Sequence, residues 1–154
     1  MCAWGLGVFS SMTARDDCIF CKIAAGETPS MKILEDHQSV AFLDIHPLAE
    51  SHVLLIPKDH FETLDEMSAS LVAAVTAHLP RLVAAVTSVA GAEGCNVLQN
   101  NGRASGQVVP HVHFHVIPRR SGDALGYRWP AGSYPAGRAE QVHAALKQAL
   151  GRAM

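Results

Sequence analysis

The sequence has no excess of positive charge, no long apolar run and few cysteines. Lys and Arg total 12 against 14 Asp and Glu, a net charge of −2, so a basic surface that grips nucleic acid is not expected. No uninterrupted apolar run reaches the about 18 residues that span a bilayer, so no membrane segment is expected. Four cysteines are too few for a secreted disulfide scaffold of 154 residues, which predicts a reduced, soluble, cytoplasmic protein.

Histidine, in contrast, is abundant: the chain has nine, against two tyrosines. Imidazole is the side chain that most often transfers protons or binds metals near neutral pH. Three histidines alternate with apolar residues at positions 111–115, within a strand predicted over residues 108–117. Because side chains alternate across a strand, the three imidazoles are expected on one face, with Val112 and Phe114 on the other.

The remaining pattern predicts an α+β domain with a mainly antiparallel sheet, one long helix and a short C-terminal helix. Further strands are expected over residues 31–35, 39–44, 52–57 and 95–99, the first two forming a hairpin. Apolar residues at helical spacing predict the long helix over residues 68–90, capped by Ser68 and kinked at Pro80. The C-terminal helix is expected over residues 139–150.

Two chemistries fit three imidazoles on one strand face. Together they could hold one catalytic zinc ion with an open fourth position. Alternatively, one is a nucleophile and a neighbour serves as general acid and base. The preceding Gly106-Gln107 loop favours the nucleophile, because glycine lets backbone N–H groups approach phosphate oxygens.

Several spaced motifs resemble those of the histidine triad (HIT) superfamily, in particular its bacterial branch related to the Hint proteins. They are GQVVPHVHFHVIPR at 106–119, CIFCKI at 18–23, AFLDI at 41–45, HVLLIPKDH at 52–60 and NNG at 100–102. The resemblance implies a HIT domain core over residues 17–120 and a homodimer. Residues 1–16 are then a poorly ordered extension, and residues 121–154 a C-terminal segment that packs on the core.

The resemblance also implies roles for the histidines. In this family the middle histidine of the triad attacks the α-phosphorus of a nucleotide and forms a nucleotidyl-histidine, which water hydrolyses; that position is His113. His111 is expected to help orient the attacking ring. His115 and His52 lie at the phosphate, where either could donate to its oxygens, and no metal is needed for this chemistry.

A nucleotide site follows from the same matches. Its expected members are Ile19, Phe20, Phe42 and Ile45 against the nucleoside, Asp44 at both ribose hydroxyls, and Asn100 with the backbone at Gly106, Gln107 and Val108 on the phosphate side. Many family members have Ser or Thr at the position of Val108. Valine cannot donate a hydrogen bond, so phosphoramidase activity is expected to be weakened.

Cys18 and Cys21 have the spacing of metal ligands, and no thioredoxin-like βαβ pattern follows them. The resemblance supplies His60 and His111 as the remaining ligands of a structural zinc site. Zinc on His111 is expected to replace the backbone bond that orients the attacking ring, so the two roles of His111 are alternatives.

The resemblance implies a hydrolase or transferase that acts on a purine nucleotide conjugate, of the phosphoramidate or dinucleoside polyphosphate class. The alternative is a slow-turnover, nucleotide-binding regulatory protein with a structural zinc. The third hypothesis, a zinc hydrolase that uses the triad itself as ligands, comes from the spacing alone.

Overall fold

The computed structural model describes residues 14–126 and 131–152. Residues 1–13 of the predicted extension therefore lie outside the described residues. Within the described residues, four α-helices and five strands follow one another. In chain order they are α1 (Ile19–Ala25), β1 (Lys32–Glu35), β2 (Ser39–Leu43), β3 (Val53–Pro57), α2 (Ala69–Thr76), α3 (Leu79–Ala90), β4 (Gly94–Gln99), β5 (Phe114–Arg119) and α4 (Arg138–Arg152). The predicted α+β class is confirmed, with helices segregated from an antiparallel sheet.

The five strands form one sheet in the order β1-β2-β3-β5-β4, and every neighbouring pair is antiparallel. Strand β3 is buried along its whole length, because apolar side chains project from both of its faces into the interior. Leu55 packs into a core with α2 and α3, whereas Leu54 and Ile56 pack into a second core with α1. The alternation of side chains therefore gives the sheet two different faces, and the candidate site lies on the α1 face.

Strand β5 begins at Phe114, six residues later than predicted. Pro110 has no N–H to donate to a ladder, and the N–H of Val112 donates to the carbonyl of Phe61 at 2.7 Å. His111 and His113 therefore precede the strand. Val112 and Phe114 still pack beneath α2 and α3, as the alternation predicted.

The long helix is confirmed, and it is bent between Thr76 and Leu79 into α2 and α3. Ser68 caps it as predicted, since its hydroxyl accepts the N–H of Leu71 at 3.2 Å. Pro80 lies in the first turn of α3, where it cannot donate to the carbonyl of Thr76. The predicted kink therefore follows from the missing hydrogen bond.

Among the described residues, the stretch Ala69–Ala90 is long and apolar enough to cross a membrane by length and composition alone. The core helix of a folded domain passes the same test. Here Val75, Leu82 and Val86 pack in the core against the sheet.

Helix α1 has no counterpart among the predicted elements, because seven residues are too few to show helical periodicity. It ends at Gly26, whose φ of 79° closes the helix in the left-handed conformation. The buried side chains of α1, among them Phe20 and Cys21, cover the face of β2 and β3 that carries the site.

The chain divides into two compact units, Met1–Asp123 and Ala124–Met154. The first contains the sheet with α1, α2 and α3, and the second contains α4. Trp129 and Pro130 lie outside the described residues. The packing of residues 121–154 on the core stays a prediction.

The hairpin of β1 and β2 is tied to the bend of the long helix through Asp36. Its carboxylate accepts the N–H groups of Gln38 and Ser39 at 2.8 and 2.7 Å and the ring Nε2–H of His78 at 2.6 Å. Burial raises the pKa of Asp36, but these hydrogen bonds outweigh burial and hold it well below its usual value. His78 is therefore an anchored side chain, in contrast to the exposed His37, which follows Asp36 in the chain.

We expect Asp36→Asn to lower the free energy of unfolding at pH 7 by about 1–2 kcal/mol, since it weakens charge-assisted hydrogen bonds. The folded-state pKa is depressed, so this stabilisation is present above the usual aspartate value of about 4 and is lost as the pH falls below it. Urea unfolding at pH 7 and at pH 3 measures the difference in free energy of unfolding between the wild-type protein and the Asp36 variant, which should be smaller at pH 3. The exposed Asp16→Asn should change little, and an equal loss at both pH values would contradict the assignment.

Candidate active site and metal centre

A pocket of about 400 Å³ opens on the α1 face of the sheet. Phe20 and Phe42 form its inner wall in an edge-to-face contact, with ring centroids 5.8 Å apart. Ile19 and Ile45 line it although they are 43% and 84% exposed, so neither is simply a core residue. A largely apolar concave wall with exposed apolar side chains at its mouth is typical of a site for a flat organic ligand.

His113 and His115 form the polar end of this pocket, with ring centroids 4.8 Å apart. The Nδ1–H of His113 donates to the backbone carbonyl of His111 at 2.7 Å. Because a carbonyl only accepts, this bond fixes the tautomer of His113 and leaves the lone pair on Nε2. His113 therefore has the arrangement of an oriented, neutral nucleophile.

His52 lies behind His115 and is 2% exposed. The N–H of Leu48 donates to Nδ1 of His52 at 3.2 Å, so the proton of His52 is on Nε2. That nitrogen contacts Nδ1 of His115 at 2.9 Å, which places the proton of His115 on its own Nε2. Only His115 of these two lines the pocket, so it is the one able to donate to a ligand there.

Burial keeps these imidazoles neutral. It lowers the pKa of His113, against the opposing effects of the His111 carbonyl and the Asp44 charge. Burial, with the neighbouring His113 and His52, lowers the pKa of His115 to about 4. It also lowers the pKa of His52. At neutral pH His113 thus keeps a free electron pair, while His115 remains a neutral donor.

Asp44 lies on the same pocket, directly after β2. One of its carboxylate oxygens accepts the N–H of His46 at 2.8 Å, a local turn that fixes the orientation of the side chain. Its remaining acceptor positions can take hydroxyl groups from a ligand, as the predicted ribose contact requires.

The loop before the triad is held by the side chain of Gln107. Its amide oxygen accepts the N–H of Gly102 at 2.6 Å, and its amide nitrogen donates to the carbonyl of Glu62 at 2.7 Å. Gly106 lines the pocket with a φ of 91°, a conformation that favours glycine. Asn100 lies against Gly106 but does not line the pocket.

Cys18, Cys21, His60 and His111 come together beside the pocket, with one ligand atom from each residue within 4.8 Å of all the others. Nδ1 of His111 lies 3.5 and 3.6 Å from the sulfurs of Cys18 and Cys21, and Nδ1 of His60 lies 3.3 Å from that of Cys21. Ideal Zn–S and Zn–N bonds at tetrahedral angles separate sulfur from nitrogen by about 3.6 Å. The four residues therefore fit a tetrahedral zinc ion.

The chemistry of these ligands agrees with their geometry. The Nε2–H of His111 donates to the carbonyl of Pro57 at 3.0 Å, which leaves Nδ1 free to bind. Burial lowers the pKa of His111 to about 4 and also lowers the pKa of His60, so both rings are neutral, the form that binds a metal. Burial raises the pKa of the Cys21 thiol, an effect that a bound cation would oppose.

His111 can bind a metal and orient His113 at the same time, so the prediction that these two roles are alternatives is wrong. Its ring belongs to the Cys-His cluster, whereas its backbone carbonyl orients His113. A single residue thus connects the two centres. The same geometry argues against the triad as a set of zinc ligands, because both ring nitrogens of His111 are engaged away from His113 and His115.

The structure adds residues that the motifs did not indicate. Thr28, Pro29 and Ser30, from the loop after α1, line the pocket, and so do Leu54 and Val109, which lie within the motifs but had no expected role there. Arg15 contacts His60 and pairs with Glu62 beside the Cys-His cluster. The sequence gives no indication of these contacts, because they form only when segments far apart in the chain pack together.

Comparison with known proteins agrees with this site. The HIT domain model matches residues 25–122. Adenosine 5'-monophosphoramidase HNT1 of Candida albicans is 40% identical over 146 residues, 92% of this chain and 96% of that protein. Adenylylsulfatase HINT3 of Arabidopsis thaliana is 44% identical over 121 residues, which are 79% of this chain but 61% of that longer protein.

A solved structure, described as a Zn-bound histidine triad family protein from Mycobacterium smegmatis, is 37% identical. It superposes with a TM-score of 0.68 and covers 90% of this chain and 98% of its own. The domain match, the relatives and the shared fold agree with the order of the sequence motifs. This chain belongs to the histidine triad (HIT) family.

Proposed function

We propose that this protein is a nucleotide hydrolase that splits purine nucleoside phosphoramidates through a nucleotidyl intermediate on His113. One observation carries the proposal. The Nδ1–H of His113 donates to the His111 carbonyl at 2.7 Å, which leaves Nε2 unprotonated on a side chain that lines an apolar pocket. The names of the Candida and Arabidopsis relatives support the same class of reaction.

In the proposed first step, Nε2 of His113 forms a bond to the α-phosphorus. The bond from phosphorus to the leaving amine breaks, and the nitrogen keeps the electron pair and takes a proton from solvent. The Nε2–H of His115 donates to a phosphate oxygen and stabilises the charge that develops there. Water then attacks phosphorus, its proton passes to solvent, and the bond from phosphorus to Nε2 breaks with the electron pair returning to His113. The net reaction adds one water across the bond from phosphorus to the amine.

Substrate binding follows from the pocket walls. A purine base would lie against Phe20 and Phe42, and the ribose hydroxyls would donate to Asp44, which favours ribonucleotides. The Gly106–Val108 backbone would face the phosphate. Val108 is 90% exposed and offers no hydroxyl to the leaving group, so its side chain adds no hydrogen bond there.

We propose that the Cys-His cluster holds a structural zinc ion. Its ligands would be Cys18, Cys21, His60 and His111, whose atoms fit a tetrahedron. A closed site of this kind supplies structural cross-linking and no reactive position. The zinc-bound relative supports this proposal.

The proposal extends to assembly and location. We propose a homodimer, since β4 is an edge strand on which Val97 is 41% exposed, and Val89 of the adjacent α3 is 77% exposed. Light scattering in solution measures this state. A cytoplasmic location, and the lack of nucleic acid and membrane partners, stay predictions.

A substrate panel tests the proposed activity. The wild-type protein should hydrolyse an adenosine 5'-phosphoramidate with a higher kcat/KM than diadenosine tetraphosphate or a nucleotidyl-sugar. Mass spectrometry of the quenched reaction should detect protein carrying one AMP moiety. Tight nucleotide binding without hydrolysis of any of the three would instead support the regulatory binding protein.

A further inference from the structure

A second cavity, of about 330 Å³, opens beside the nucleotide pocket. Its walls include Glu62, Arg103, Gln107 and Val108. Val108 lines both cavities, while its neighbours Gly106 and Gln107 line the first and the second cavity respectively. A group attached to a phosphate in the first pocket can therefore extend past Val108 into the second cavity.

Arg103 is the uncompensated charge in this cavity. Within residues 14–126 and 131–152, its guanidinium has no carboxylate or other polar group within bonding distance. The other charged wall residue, Glu62, already pairs with Arg15. Among the described residues, the cavity therefore presents a cation without a bonded partner, and the carboxylate of Glu62 is already paired.

The backbone that carries Arg103 is firmly held. The carbonyl of Arg103 accepts the N–H of Gly106 at 3.0 Å, and that of Gly102 accepts the hydroxyl of Ser105 at 2.8 Å. Gln107 ties the same turn to Glu62 through both ends of its amide. The backbone position of Arg103 is thus fixed, and its exposed side chain extends from a firmly held turn at the wall of the cavity.

We propose that Arg103 selects leaving groups that carry an anionic oxygen group. The inference rests on the proposed function: since the bond broken there is P–N, the leaving group is an amine, and the substrate class is nucleotides joined to amino acids with a free carboxylate. A guanidinium matches the two oxygens of a carboxylate with parallel N–H donors. Arg103 thereby supplies a leaving-group contact at the end of the site where Val108 supplies none.

Two matched substrates test this role. AMP joined through nitrogen to alanine carries the carboxylate, and AMP joined to alaninamide lacks its charge but keeps its shape. Wild-type kcat/KM should favour the first, and Arg103→Gln should reduce that preference about three- to tenfold. Arg103→Lys should restore part of it, because it keeps the charge but loses the paired donors. Arg81→Gln, an exposed arginine on α3, should leave the preference unchanged.

A binding measurement separates this inference from the proposed activity. On a His113→Ala background, calorimetry gives dissociation constants for both compounds without turnover, and Arg103→Gln should reduce the carboxylate preference by the same factor. A preference that is absent, or that survives Arg103→Gln, overturns the inference. If binding shows the Arg103 effect but wild-type protein hydrolyses neither compound, the leaving-group site stands and the proposed activity is wrong.

Discussion

Replacing His113 by alanine should abolish the nucleotidyl-enzyme and lower kcat for an adenosine phosphoramidate by at least about a thousandfold. The reason is that the proposed reaction is covalent, so removal of the attacking nitrogen leaves only the contributions of binding and His115. Stopped reactions analysed by intact mass, together with steady-state rates, measure both effects. Nucleotide affinity should remain within a few-fold of the wild-type value, because the apolar walls and Asp44 are unchanged.

His113 also packs on Phe20, with centroids 5.2 Å apart, so alanine could loosen the pocket. His113→Asn provides a second variant, because its amide keeps a donor for the His111 carbonyl but is not a nucleophile. His37→Ala, at an exposed histidine, is the matched control and should retain full activity. An AMP adduct that persists in both His113 variants, or a kcat within tenfold of wild type, would contradict the role.

Cys21→Ser should abolish binding of the proposed zinc ion and lower the free energy of unfolding by on the order of 4 kcal/mol, the size of effect that follows loss of a metal. For a chain of this length that corresponds to a melting temperature lower by roughly 10 °C. The cluster joins α1, the segment after β3 and the residues before β5, so its loss releases three separate parts of the chain. Metal analysis and thermal unfolding, with and without a chelator, measure the change.

Cys95→Ser is the matched control, since this half-buried cysteine lies on β4 outside the cluster. It should keep one zinc per chain and lose little stability. Wild-type protein should respond to a chelator, whereas the Cys21 variant should not. Native protein with far less than one zinc per chain, and unaffected by chelator, would reject the metal site while leaving the His113 chemistry intact.

Most strands could be predicted because their signal is local. The apolar residues of β2 and β3 are visible within five positions, and the observed bounds of each strand differ from the expected ones by one residue. The start of β5 could not be predicted, because it depends on the bond from Val112 to Phe61, about fifty positions away. The hydrogen bond from His78 to Asp36 could not be predicted for the same reason, since the two residues are far apart in the sequence.

The sequence alone determined the family, the α+β class and the residue types available for chemistry. This was possible because motif order, apolar spacing and turn residues are properties of neighbouring positions. The tertiary structure decided which atoms of those residues act together. It assigned the ring of His111 to the cysteines and its carbonyl to His113, and placed His52 behind His115. It also placed Arg103 at the second cavity, where the guanidinium has no ion pair among the described residues. Such pairings depend on distances between segments far apart in the chain, which only the packed fold defines.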